Sequence, residues 1–132
     1  MRRPVVIAVD TNVLVRLLTA DEPAQTARAA ALFEREAVSI PKTVLLETEW
    51  VLRYSYRLDA SAVLKGFRNL LGLPRVAVED GSVVADALAL YERGMDFADA
   101  LHLCSARDAS AFATFDAGLK KRAGRHARVR LL

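Results

Sequence analysis

Asp96 and Asp99 stand three residues apart in GMDFADALHL, residues 94–103, where a helical pattern begins. An Asp at a helix start accepts from the first free backbone N–H groups, and Asp96 suits that task. Asp99 suits it less, because the reciprocal capping box wants Glu or Gln at the third position and Asp is a methylene shorter. Three further acids sit in comparable places. Asp10 directly follows the apolar run from Val5 to Val9, and Asp116 directly follows Ala111 to Phe115. Glu47 lies in LLETEWVL on a stripe with Val44, Val51 and Tyr54. A carboxylate on an apolar stripe should face a partner or a site. Plain structural uses stand beside these: Asp10 or Asn12 can cap the first helix, Asp116 the last, and Glu47 or Glu49 can be an exposed acid near a helix start. Because the helix that carries Glu47 and Glu49 is apolar nearly all round, periodicity does not decide which of the two faces inward.

Gathered carboxylates need a counter-charge. At about 4 Å and an effective dielectric near 20, each close like-charged pair costs on the order of 4 kcal/mol. No lysine lies within these motifs, so a cluster of Asp10, Glu47, Asp99 and Asp116 would need protons or a cation. All-oxygen donors suit Mg²⁺ or Mn²⁺ rather than zinc. Cys104 is the only cysteine, which excludes an internal disulfide and a multi-cysteine zinc site and fits a reducing compartment. It reads as a small buried core residue. His102, one turn after Asp99, reads as an ordinary helix residue, and His126 as solvated.

The elements that must position these acids alternate. Val5 to Val9 is β-branched and continuous, the pattern of a strand buried on both faces, and Asp10-Thr11-Asn12 starts the helix through Val13 to Leu18. Helical segments follow from about Ala24 to Ala37, with a strand at Val38-Ser39-Ile40. Pro41 suits the first turn of a helix running from about Lys42 to Tyr56. Val63, Phe67 and Leu70 share a stripe of the next helix, which Gly72 stops. Arg75 to Val78 reads as a third strand, Asp80 opens a helix whose inner face is Val84, Ala87, Leu88 and Tyr91, and Gly94 ends it. The opening motif leads a helix to about Asp108, Ala111 to Phe115 is a fourth strand, and Arg128 to Leu131 a fifth. Trp50, Phe33, Phe67 and Phe112 sit at core spacings.

Strands alternating with helices imply an α/β fold with a parallel sheet covered on both faces. In such sheets sites form beyond the carboxyl ends of the strands, and Asp10 and Asp116 follow their strands in the same relation, so both should emerge at one edge. A 132-residue chain with 53% hydrophobic residues can bury roughly two thirds of its unfolded surface, so a single domain over 1–132 is expected. The amino end is basic and then apolar, but Asp10 interrupts it before it could serve as a signal peptide or span a bilayer, and no later window is apolar enough. A cytoplasmic protein without a membrane partner is expected.

The net charge of +3 is unevenly spread. The segment KKRAGRHARVRLL, residues 120–132, carries six cations and no acid, which leaves 13 basic against 16 acidic residues, net −3, over residues 1–119. Such a basic run is either a solvated face or a contact for phosphates.

With the acids in place the sequence resembles the PIN-domain ribonucleases, and among them the VapC-type toxins of bacterial toxin–antitoxin pairs. The resemblance lies in IAVDTNVLVRLL, LLETEWVL, DFADALHL and ATFD, in that order, and covers essentially the whole chain. It implies a PIN-like domain with a central, mostly parallel sheet of four to five strands and helices on both faces. It implies Mg²⁺- or Mn²⁺-dependent endonuclease action on RNA, leaving a 5′-phosphate and a 3′-hydroxyl, with Asp10, Glu47, Asp99 and Asp116 as the family acids. Metal would be held by Asp10, Asp99 and Asp116, with Glu47 orienting water or a second ion and Asn12, Asp96 and Thr114 in support. It also implies a cognate antitoxin and assembly as a homodimer. An acidic pocket repels a polyanion, so nearby cations are required; Arg16 and, in the terminal segment, Lys120, Lys121, Arg122 and Arg125 are the candidates.

Other classes fit less well. A receiver-like signalling module needs an acceptor Asp ending its central strand and a Lys near a later strand end, and no such Lys follows Phe115. A metal-dependent phosphatase uses two Asp residues separated by one, whereas Asp10 is followed by Thr11 and Asn12. A PIN fold kept only for RNA binding would not be expected to retain all four acids.

Overall fold

Six of the seven helices among the described residues begin where the sequence offers a side-chain acceptor or a proline. Asp10, in extended conformation, accepts from the backbone N–H of Val13 at 3.2 Å and starts α1 (Thr11–Thr19). Glu22 accepts from Ala24 and Gln25, and Pro23, which has no N–H to lose, opens α2 (Pro23–Arg35). Pro41 immediately precedes α3 (Lys42–Tyr54) with no side-chain cap, one position earlier than the first turn it was expected to occupy. Asp59 caps α4 (Ala60–Leu71). A computed structural model describes residues 5–132; the basic start, residues 1–4, lies outside the described residues. The chain divides into two compact units, one through Gly81 and one from Ser82 onward.

The first unit holds three parallel strands in the order β1 (Val6–Ala8), β2 (Ala37–Ile40), β3 (Val76–Val78), with Ile7 opposite Val38 and Ser39 opposite Ala77. Within it α1 contacts α2 and α3, and α4 contacts α3 and β3. Its core is Leu14, Val15, Val38, Ile40, Leu45, Leu52, Val63, Phe67 and Leu70, all nearly inaccessible. The stripe Val63, Phe67 and Leu70 is therefore buried as its helical spacing demands. The run from Val5 to Val9 departs from expectation. Val5 and Val6 are 68% and 53% exposed and only Val9 is buried, so this run is not a strand buried on both faces.

The second unit contains α5 (Gly81–Glu92), α6 (Phe97–Ser105), β4 (Phe112–Thr114), α7 (Ala117–Ala123) and β5 (Val129–Leu131). Val84, Ala87, Leu88 and Tyr91 face its core, and the Tyr91 and Phe97 rings meet edge-on at 5.2 Å. Gly94, at φ +105°, makes the turn out of α5 that a side chain would strain. β4 and β5 pair in parallel, Phe112 opposite Val129 and Thr114 opposite Leu131. Among the described residues all five expected strands form and pair in parallel, three in one ladder and two in another.

Three side chains sit differently from their sequence reading. Trp50 and Tyr54 are 57% and 63% exposed and pack on each other one turn apart, so neither belongs to the core. Cys104 is half-buried rather than buried. Burial, with the Asp86 carboxylate as a second cause, pushes its thiol up from the ordinary range, which opposes thiolate chemistry.

Candidate active site

Each acid of the sequence motifs is fixed by its own local geometry. In the first unit one Asp10 oxygen is committed to the Val13 N–H. The neighbouring Thr11, 8% exposed, donates its hydroxyl to Glu47 Oε1 and thereby ties the start of α1 to the middle of α3. Sequence spacing left Glu47 and Glu49 undecided. In the structure Leu45, Thr48, Glu49 and Leu52 form the buried face of α3, Glu49 is 6% exposed, and Arg53 stands 3.6 Å from its carboxylate. Glu47 is exposed, and among the described residues its hydrogen-bond partner is the Thr11 hydroxyl. Thr11 is a positioning residue that sequence reasoning missed, since a Thr inside DTN reads as just another helix starter.

In the second unit Asp96 accepts from the Asp99 N–H at 3.1 Å, the cap role read from GMDFADALHL. That leaves the Asp99 carboxylate free of capping. Asp116 accepts from the Leu119 N–H through Oδ1 at 3.1 Å, and its own N–H donates to the Thr114 hydroxyl at 3.0 Å, so Thr114 holds the turn that aims Asp116. The free oxygens converge on one cation. Arg122 Nη2 lies 3.6 Å from Asp99 Oδ2 and 3.5 Å from Asp116 Oδ2. The expectation that no internal cation partners these acids is therefore corrected: an arginine six residues beyond Asp116 does so, and a search for lysine within the motifs could not find it.

Gly118 makes room for this contact. A Cβ at Gly118 would stand 2.8 Å from Arg122 Nη1 and 3.1 Å from Asp116 Oδ1. The arginine and both acids are partly exposed, at 47%, 31% and 55%, so each arm is worth no more than about 1 kcal/mol. Two carboxylates that share so weak a partner are open to exchange for a stronger cation. Their donors are all oxygen, the hard kind that suits Mg²⁺ or Mn²⁺. In neither unit, among the described residues, do three or more His, Cys, Asp or Glu side chains already stand as a metal cage.

The cations named from sequence have different fates. Arg16 is held by Gln25 at 2.7 Å, Asp21 at 3.1 Å and the Tyr56 hydroxyl at 3.1 Å. The Tyr56 hydrogen bond foremost, then Thr19 and Arg16, hold the Asp21 carboxyl below its usual range. Even so, Arg16 lines a hollow of about 360 Å³ with Asp10, Asn12, Gln25 and Arg28. Arg28 is a cation beside Asp10 that sequence reasoning missed, because it lies in an Ala-rich helix without a motif. Arg122 serves the acids, while Lys120, Lys121 and Arg125 are exposed.

No helix among the described residues is long and apolar enough to cross a membrane. No curated protein sequence matches this chain significantly. A solved structure to which it is similar is that of Mycobacterium tuberculosis VapC20, described as a sarcin-ricin loop cleaving toxin: 22% identity, 91% of this chain and 95% of that chain covered, TM-score 0.44. The PIN domain family matches residues 7–125, a span that runs through both units and contains all four motif acids. The chain belongs to the PIN-domain family.

Proposed function

We propose that this PIN-domain chain is a Mg²⁺- or Mn²⁺-dependent endoribonuclease and the toxin of a VapC-type toxin–antitoxin pair. The observation that carries the proposal is the convergence of Asp99 and Asp116, from the first turn of α6 and the start of α7, on a single weakly held cation.

In this reading Asp10, Asp99 and Asp116 are the metal ligands, and Glu47 orients the attacking water. Asn12, Asp96 and Thr114 keep the ligands in place, and Thr11 does the same for Glu47. A divalent ion held by these residues would neutralise charge on the phosphate and lower the pKa of a water beside it. The water oxygen would attack phosphorus and lose a proton to solvent, the bond from phosphorus to the 3′-oxygen would break, and that oxygen would take a proton from solvent. The products are a 5′-phosphate and a 3′-hydroxyl. Arg122, which pairs with Asp99 and Asp116, would give up those contacts to a bound cation and could offer its guanidinium to a phosphate beside them. Arg16 and Arg28 at the hollow next to Asp10, and Lys120, Lys121 and Arg125 beyond the acids, supply the positive field that brings RNA to an acidic centre.

An unregulated ribonuclease harms its host, so a cognate antitoxin and action in the cytoplasm belong to the same proposal, as does assembly as a homodimer. Sequencing of RNA 5′ ends after brief expression without the inhibitor, with Asp10→Asn as control, tests it. New 5′-phosphate ends at defined positions, absent in the control, are expected; equal ends in both would refute the reading.

A further inference from the structure

Opposite the acid end of β4 lies a second, unassigned site. A cleft of about 830 Å³ within the second unit is lined by Arg93, Arg107, Arg125 and Arg128 together with Asp86 and His126. None of the four motif acids lines it. It sits at the beginnings of β4 and β5, next to Phe112 and Arg128, whereas Asp116 follows the end of β4. One three-residue strand, on the order of 10 Å, separates the two ends.

The charges of the cleft are not balanced from within. Its one carboxylate, Asp86, is taken by Arg107 at 3.2 Å, and Arg107 also donates to the Ser82 hydroxyl. Arg93 donates to His126 Nε2 at 2.9 Å, which orients the guanidinium and leaves the imidazole Nδ1 as a donor. Arg93, Arg125 and Arg128 face no acid in any ion pair of the described residues. Planar guanidinium forks lining one open cleft match phosphate oxygens, which accept two hydrogen bonds from each fork. Apolar lining from Leu90, Leu103 and Phe112 gives a sugar or base a dry wall.

We propose that this cleft is an exosite for the phosphodiester backbone of single-stranded RNA, holding the strand a short distance from the bond that is cut. The inference rests on RNA being the substrate. It adds Arg93 and Arg128, and the orienting His126, to the residues that hold RNA.

The test is fluorescence anisotropy with a labelled single-stranded RNA in EDTA, so that binding is read without cleavage, across a salt series. Wild type is compared with Arg93→Ala/Arg125→Ala/Arg128→Ala, and with Arg93→Lys/Arg128→Lys, which keeps charge but not the fork. Removing three phosphate contacts should flatten the slope of log affinity against log salt by about 2 and weaken binding by on the order of tenfold or more. The lysine variant should keep most of the slope and lose part of the affinity. Unchanged affinity and slope in the triple variant would overturn the exosite. So would a triple variant that loses only the binding of a free nucleotide, which would make the cleft a nucleotide pocket. RNA binding that depends on these arginines in a protein without metal-dependent cleavage would keep the exosite and remove the nuclease reading.

Discussion

Arg122 reaches back along α7 to Asp116, the residue that caps the same helix, and its Nη2 stands 3.5 Å from the Asp116 Oδ2. The same nitrogen meets Asp99 at 3.6 Å. The chain thus carries its own provisional counter-ion for half of the acid set, and that ion is held loosely enough to leave. Removing it leaves two carboxylates that repel one another and welcome a divalent ion.

Arg122→Ala is accordingly expected to bind Mn²⁺ more tightly than the parent chain, by several-fold up to about tenfold, the equivalent of the roughly 1 kcal/mol that an exposed arginine arm contributes. Isothermal titration calorimetry measures it. The metal-free variant should also melt slightly earlier and gain more from Mn²⁺ in a thermal scan. Equal or weaker Mn²⁺ binding would mean that the arginine does not compete with metal.

Gly118→Ala tests the same contact from the other side. Its methyl group would meet the Arg122 guanidinium and the Asp116 carboxylate, and the flexible arginine is the group that must move. Mn²⁺ affinity should rise as in Arg122→Ala, with α7 retained by circular dichroism. A Gly118→Ala protein with parental affinity would show that the guanidinium was not seated in that space.

Tyr56→Phe should raise the titration midpoint of Asp21 towards its ordinary value of 3.8, because the Tyr56 hydroxyl is the largest cause of its depression. A carboxyl depressed on folding contributes stability above its unfolded pKa and loses it as pH falls through the folded one. The Arg16–Asp21–Tyr56 group therefore supports the fold at neutral pH and weakens in acid. The carboxyl carbon shift of Asp21, followed by NMR against pH, reads the midpoint. A midpoint unmoved by the substitution contradicts the assignment.

Phe67→Ala removes a side chain that is 0% exposed at the centre of the first unit's core. A loss of about 3–5 kcal/mol in urea unfolding is expected from the buried area and the cavity left behind. A loss below about 1 kcal/mol would mean that the core is far looser than its packing indicates.

Much of this was legible in the residues because capping and burial are local. Asp10, Asp96 and Asp116 cap the helices that they precede, and Val63, Phe67, Leu70, Val84 and Leu88 are inside, as period 3.6 requires. The four motifs were also sufficient to point to the PIN family. What failed to show depends on three-dimensional neighbours. Whether Glu47 or Glu49 faces inward is undecidable on a helix apolar all round, and the buried Leu45, Thr48 and Leu52 settle it. The exposure of Val5 and Val6 is likewise not announced by a β-branched run. Arg122 looked like one more cation of a basic tail. Its role comes from the length of its side chain and from the space that Gly118 leaves.

The account stands on carboxylates that serve a divalent ion in RNA cleavage, and the most direct measurement is metal-supplemented cleavage of RNA by purified Asp99→Asn. Asp99 does not cap its helix through its side chain, so the variant should keep the parental melting behaviour and circular dichroism while cleavage falls to background. The parent should cut in Mg²⁺ or Mn²⁺, leave 5′-phosphate ends, and stop in EDTA. Near-parental cleavage by folded Asp99→Asn, or parental cleavage undiminished by EDTA, would contradict the account.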